Sequence, residues 1–173
     1  MAMLERIVDV LDRLLRGTLD LFTIAMAGAL LILLNYAVFS RFVLNDSVSW
    51  GEELPAHMLA ALTFIGAAYL TRTNEHLGFD SAVRSLSPLP QKVIAGINLL
   101  IMVAFGAALA WYGAIAALSF AGRTLVSLDI PIILFRGAMP LGGALITLIC
   151  AVRFIGLCIG RVTPDDLLPE GDG

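Results

Sequence analysis

Ionisable side chains gather where the second long apolar segment of this 173-residue chain begins. Arg41 follows the preceding apolar segment, and Glu52, Glu53 and His57 stand at the start of the next one. On a helix, Glu53 and His57 share a face because they are four positions apart, and that spacing allows an ion pair. Paired carboxylates near an arginine also suit a salt bridge or the docking of a partner. We therefore expect Arg41, Glu52 and Glu53 to make contacts of this kind.

Helix capping and membrane anchoring are the alternative explanation for the same residues. Ser49 and Glu52 match the S-x-x-E capping box, in which each side chain satisfies a free backbone N–H. Trp50 is a residue type that collects at the lipid headgroup level. Capping needs only one carboxylate, so the second is left for another contact. Pro55 leaves open whether a short interfacial helix precedes the span.

A second polar group follows the same apolar segment at its other end and consists of Arg72, His76 and Asp80. Their mixed charges suit local ion pairing at a helix end. A haem held by two histidines needs both ligands at a similar depth, whereas His57 and His76 lie at opposite ends of one span. The sequence also lacks a nucleophile elbow, a phosphate-binding loop and a metal-ligand cluster. We therefore predict no catalytic, cofactor-binding or metal-binding residue and no enzymatic activity.

The elements that must position these residues are membrane-spanning helices. Hydrophobic residues make up 59% of the chain and charged residues 14%, whereas soluble domains have about 45–50% and about 25%. A helix needs about 20 mostly apolar residues to cross a bilayer. The sequence predicts an all-α membrane protein with four spans, at residues 18–40, 54–71, 93–122 and 132–158. Arg136 and Arg153 interrupt the last segment, and we expect both side chains to snorkel to the interfaces.

The two ends of the chain differ from the transmembrane domain at 18–160. Apolar residues recur at helical spacing within 1–17, which predicts an amphipathic interfacial helix, with a cytoplasmic extension of the first span as the alternative. Residues 161–173 are acidic, contain two prolines and predict a disordered tail. Eight of the 11 Lys and Arg residues fall on the side of the termini, which predicts that both termini are cytoplasmic.

Small residues recur inside the apolar segments. Gly66, Gly106 and the Gly142-Gly143 pair lie within predicted spans, and Gly156 and Gly160 form a GxxxG motif. Such residues let helix backbones approach closely in lipid. They predict a bundle that packs tightly, either internally or against another protein.

The order of these features resembles the small, Q-type (DctQ-like) membrane subunit of the TRAP, or tripartite ATP-independent periplasmic, transporters. The resemblance covers roughly residues 4–160. Its most specific parts are Arg41-Phe42-Val43, Trp50-Gly51-Glu52-Glu53-Leu54 and Phe64-Ile65-Gly66-Ala67-Ala68. Further matches are Arg72, His76 and Asp80 after the second span, and Ile130-Pro131 and Pro140-Leu141-Gly142 in the segment entering the fourth.

The resemblance implies a function that the residues alone do not show. It implies a scaffold in the bacterial inner membrane that joins a large membrane subunit, on which sodium and an organic acid substrate would bind. A periplasmic substrate-binding protein would deliver that substrate. The candidate partner-docking residues or interfacial anchors are then Arg41, Trp50, Glu52, Glu53, His57, Arg72, His76 and Asp80. The composition indicates no nucleic-acid partner.

Two other functions stay open at this point. The chain could anchor a redox enzyme in the membrane, which would give a haem absorbance band from His57 or His76. It could also be a stand-alone small transporter that works as a homo-oligomer, which would transport substrate without a partner.

Overall fold

The computed structural model describes residues 2–73 and 87–160, apart from the side chains of residues 2–16 and 88. His76, Asp80 and the predicted tail at 161–173 lie outside the described residues. The described helices are α1 (Ala2–Phe42), α2 (Glu53–Thr73), α3 (Pro88–Ser119), α4 (Ile133–Arg136) and α5 (Ala138–Ile159). In these two ranges the only β pairing is an isolated bridge between Thr124 and Pro131.

The prediction of an all-α membrane protein is confirmed. Within residues 2–73 and 87–160, four helical segments are long and apolar enough to cross a bilayer: Gly17–Phe42, Glu53–Thr73, Leu89–Ser119 and Ile133–Ile159. The last of these joins the single turn of α4 to α5. Residues 2–16 are part of α1, which runs as one helix from Ala2 to Phe42. The division of the N-terminal segment into a surface helix and a span stays a prediction.

Helix α5 lies at the centre of the bundle because it packs against both α2 and α3, while α1 packs on α2. The resulting order across the bundle is α1, α2, α5, α3. The buried core follows the two seams of α5 and includes Ala68, Ile146 and Cys150. A smaller cluster of Leu19, Ala61, Ile65 and Ala138 joins α1, α2 and α5.

The two outer helices are hardly buried within the chain. Among the 18 consecutive residues of α1 with the highest mean hydropathy, only 6% are buried within the chain. The corresponding share for α3 is 11%. The corresponding windows of α2 and of the Ile133–Ile159 segment are 33% and 28% buried. Apolar side chains on α1 and α3 therefore face outward, which is stable in lipid or against another hydrophobic protein.

Glycines permit the closest helix crossings. A Cβ added at Gly142 would collide with the carbonyl oxygen of Phe64, and one at Gly143 would lie 2.5 Å from the Ala110 nitrogen. The prediction of close packing at these glycines is confirmed for the α2–α5 and α3–α5 seams. Gly66, in contrast, has no atom within 4 Å of such a Cβ. Gly160 is also open, and its φ of +76° ends α5 instead.

Pro55 does not break the helix at the start of the second span. The Trp50 carbonyl accepts from the Leu54 N–H at 3.1 Å, and the Glu52 carbonyl accepts from the Ala56 N–H at 3.3 Å. Helical bonding therefore begins ahead of Pro55. Proline fits here because the first N–H groups of a helix have no intrahelical acceptor. The N–H group that proline lacks would therefore make no helical hydrogen bond at this position. The possibility of a separate interfacial helix at this point is wrong.

Candidate functional site

The polar contacts of the described chain concentrate at two places. We call the end where α2 and α5 begin the Glu53 end, and the end where they finish the Thr73 end. At the Glu53 end, Glu53 holds the connection between α3 and α4. Its Oε1 accepts from the Val126 N–H at 2.9 Å, and its Oε2 accepts from the Ser127 N–H at 2.9 Å and the Ser127 hydroxyl at 2.6 Å. Hydrogen bonds to an ionised acceptor are stronger than neutral ones, so this arrangement fixes the loop to α2.

The loop held by Glu53 has an ordered fold of its own. Leu125 donates its N–H to the Ile130 carbonyl at 3.0 Å, and Ile132 donates to the Arg123 carbonyl at 3.0 Å. The Leu125 side chain is only 2% exposed, whereas the next side chain, Val126, is 98% exposed. One apolar side chain thus anchors the loop while its neighbour points away from the protein.

The remaining polar residues at this end connect α1 to α2. The guanidinium of Arg41 lies 3.2 Å from a carboxylate oxygen of Glu52, and both side chains are well exposed. The rings of Tyr36 and Trp50 stack with centroids 6.0 Å apart. Exposed ion pairs of this kind contribute about 0–1 kcal/mol. Their role as partner contacts stays a prediction.

His57 has a different partner from the one that the spacing suggests. Its ring stacks on Phe135 with a centroid distance of 5.9 Å, while the carboxylate of Glu53 accepts hydrogen bonds from the 126–127 segment. Glu53 and His57 therefore also make separate contacts, to the loop and to α4, which their spacing on α2 did not predict.

Arg136 has an aromatic partner that the sequence did not predict. Its guanidinium lies over the Phe120 ring, 3.7 Å from the centroid, and Arg123 lies over the same ring at 5.1 Å. The Nε of Arg136 is enclosed and has no hydrogen-bond partner among the described residues. A cation–π contact therefore gives this charge a partner within the protein, and the expected snorkelling of Arg136 to the interface stays a prediction.

At the Thr73 end, Arg153 reaches from α5 to the end of α2. Its two terminal nitrogens donate to the carbonyls of Thr71 and Arg72 at 2.7 and 2.6 Å. The last carbonyls of a helix have no intrahelical donors, and a cation there also suits the helix dipole. The expected snorkelling of Arg153 to an interface stays a prediction. Of the predicted group after this span, the structure describes Arg72 alone, and His76 and Asp80 fall outside it.

A family match covers most of this architecture. Residues 30–159 match the family model described as "Tripartite ATP-independent periplasmic transporters, DctQ component". The chain belongs to the DctQ family. One relative is the sialic acid TRAP transporter small permease protein SiaQ of Vibrio cholerae serotype O1, 23% identical over 140 residues that cover 79% of each chain. The predicted family resemblance is confirmed, and transport rather than redox anchoring is the family's function.

In this DctQ-family chain, sequence reasoning singled out Glu53 but missed the atoms that it binds. Val126 and Ser127 contribute backbone groups, which no side-chain pattern reveals, and they lie 73 and 74 residues away. Phe120 and Phe135 were also missed, because an aromatic residue in an apolar chain has no distinctive spacing. The signal that pointed to Glu53 was the presence of two adjacent carboxylates at the start of α2. Helix capping needs only one of them, so the sequence left the Glu53 carboxylate available for another contact.

Replacing Glu53 by glutamine should loosen the α3–α4 loop of the DctQ-family chain. A Gln side chain offers one acceptor oxygen and turns an NH2 group toward donors, so at least one of the two backbone bonds is lost. Amide hydrogen exchange at Val126 and Ser127 should therefore become faster. Glu52→Gln is the matched control, because the Glu52 carboxylate pairs with Arg41 on the exposed surface. Equal exchange at these amides in both variants would contradict the assignment.

Proposed function

We propose that this chain is the small permease subunit of a sodium-coupled TRAP transporter for an organic acid. In this proposal it acts as a non-catalytic scaffold for a large membrane subunit, which carries the sodium and substrate sites. A periplasmic substrate-binding protein delivers the substrate. The complex lies in the bacterial inner membrane, and the distribution of Lys and Arg supports cytoplasmic termini.

The observation that carries the scaffold role is the exposure of the outer helices. Side chains of α1 and α3 present long apolar faces that the chain itself leaves uncovered, with 6% and 11% burial in their most apolar windows. Hydrophobic faces on both sides of a bundle suit a protein that contacts lipid on one side and a membrane partner on the other.

The internal contacts support the same role. Glu53 ties α2 to the α3–α4 loop at one end, and Arg153 ties α5 to α2 at the other. The ionisable groups of the central helices are therefore used to hold helices together. A scaffold needs fixed helix positions, and these bonds supply them.

The nature of the substrate rests on the relative. SiaQ of Vibrio cholerae is described as a sialic acid TRAP transporter small permease, and sialic acid is an organic acid. We extend only the chemical class to this chain: a carboxylate-bearing metabolite, which the large subunit and the binding protein select.

Reconstitution in proteoliposomes tests the proposed function. Vesicles with this chain, its large subunit and the binding protein should take up a labelled organic acid when sodium is higher outside. Vesicles lacking the large subunit should show no uptake, and the two membrane proteins should co-purify. Uptake by vesicles that contain this chain alone would identify a stand-alone transporter and overturn the proposal. A haem absorbance band in the purified chain would instead indicate a redox anchor.

A further inference from the structure

A cavity of about 190 Å³ lies in the wedge between α2 and α3, beside α4 and the beginning of α5. The wedge exists because α5 stands between these two helices, and the described residues give α2 and α3 little direct contact. Ligand pockets for whole small molecules have about 300–1,000 Å³. A space of this size accommodates part of a molecule rather than a complete transported substrate.

The lining of the wedge changes from polar to apolar along the helix axis. His57 and Arg136 line it at the Glu53 end, where the second and fourth spans begin. Phe64, Gly113 and Met139 line it further along. Phe64 lies seven residues beyond His57, which corresponds to about 10 Å along a helix. The cavity therefore has one cationic end near the membrane interface and an apolar part directed toward the bilayer centre.

Arg136 brings a charge that the described residues do not neutralise. Its guanidinium is held on the Phe120 ring, and its enclosed Nε has no hydrogen-bond acceptor in the ranges 2–73 and 87–160. A cation–π contact orients a guanidinium but adds no negative charge. Arginines within membrane segments are costly and pair with an acceptor or an anion. An anion supplied from outside the chain would complete this site.

We propose that the wedge binds one anionic phospholipid, with its phosphate at Arg136 and part of an acyl chain against Phe64 and Met139. Phosphate matches the planar donor fork of arginine, and basic pockets between membrane helices bind anionic headgroups. The order of polar and apolar lining is also the order of groups in a phospholipid. An acidic side chain from a protein partner would supply the charge but would leave the deeper apolar part of the wedge empty.

Native mass spectrometry of the full-length chain, purified with its large subunit, tests the site. After removal of bound lipid, the complex is titrated with phosphatidylglycerol or with phosphatidylcholine of the same acyl chains. We expect one phosphatidylglycerol to bind where phosphatidylcholine does not. Arg136→Gln should weaken that binding at least about fivefold, the effect of losing one cation near an anionic headgroup.

Two further variants make the result specific. Arg123→Gln is the matched control, because Arg123 lies over the same Phe120 ring, is exposed and does not line the wedge. This variant should retain phosphatidylglycerol binding. Ala60→Phe keeps Arg136 but fills part of the wedge, and it should weaken binding even if Arg136→Gln does not fold. Equal binding of the two lipids, or equal losses in the two arginine variants, would overturn the proposal.

Discussion

Replacing Gly142 by alanine should lower the unfolding free energy of the chain by about 1–3 kcal/mol or more, the usual cost of forcing extra atoms into a packed core. The added Cβ meets the backbone carbonyl of Phe64 on α2. A backbone atom cannot move aside as a flexible side chain can, so α2 and α5 must separate. Separation of these helices would also disturb the core around Ala68 and Ile146.

Gly66→Ala is the matched control for this prediction. Gly66 lies in α2, close in sequence to the Phe64 crossing, but an added Cβ there meets no atom within 4 Å. Alanine in an open helical position should leave stability unchanged or raise it by about 0.5–1 kcal/mol. Reversible unfolding in mixed detergent micelles, followed by tryptophan fluorescence, measures both variants. Similar free energies for the two would show that the α2–α5 crossing is looser than the structure indicates.

Replacing Arg153 by alanine should have the second large effect, about 1.5–3 kcal/mol, as for hydrogen bonds to a charged group. The change removes both donors from the carbonyls of Thr71 and Arg72. Water or a lipid headgroup would have to replace these two donors. The last turn of α2 should fray, and α5 should lose its polar link to α2.

Amide exchange distinguishes this role from a general loss of packing. Arg153→Ala should speed exchange in the last turn of α2, up to Thr73, more than in the central turns near Ile65. Arg153→Lys should fall between the wild type and the alanine variant, because an ammonium group lacks the fork that reaches two carbonyls at once. A uniform increase along the whole of α2 would count against a capping role.

The fold could be predicted from the sequence because each span is encoded locally. Long apolar runs fix the four helices, and Gly142 and Gly143 lie at the crossings that small residues in a span predict, whereas Gly66 does not. Such signals depend on neighbouring residues only. Membrane thickness then sets the helix length, independently of what each helix packs against.

The ion pair of Arg41 with Glu52 agrees with the salt bridge expected there, but the partners of the other charged residues could not be predicted in this way. Snorkelling was expected for Arg136 and Arg153 because each helix was considered alone, and an isolated helix offers a long cation only water or lipid headgroups. In the folded bundle, Arg136 contacts the Phe120 ring, and Arg153 donates hydrogen bonds to the Thr71 and Arg72 carbonyls. These partners come from other helices, so their positions depend on packing that local sequence patterns do not contain.

The sequence separations of the two polar links have a consequence for the order of folding. Helices α1 and α2 are consecutive along the chain, and so are α3 and α5 apart from the single turn of α4. Each pair can form a helical hairpin from contacts close in sequence. The Glu53 bonds span 73 and 74 residues, and those of Arg153 span 82 and 81. Contacts between distant segments form late because chain entropy opposes them. We therefore predict that both links close when two preformed hairpins meet, with docking of the hairpins as the final step in folding this subunit.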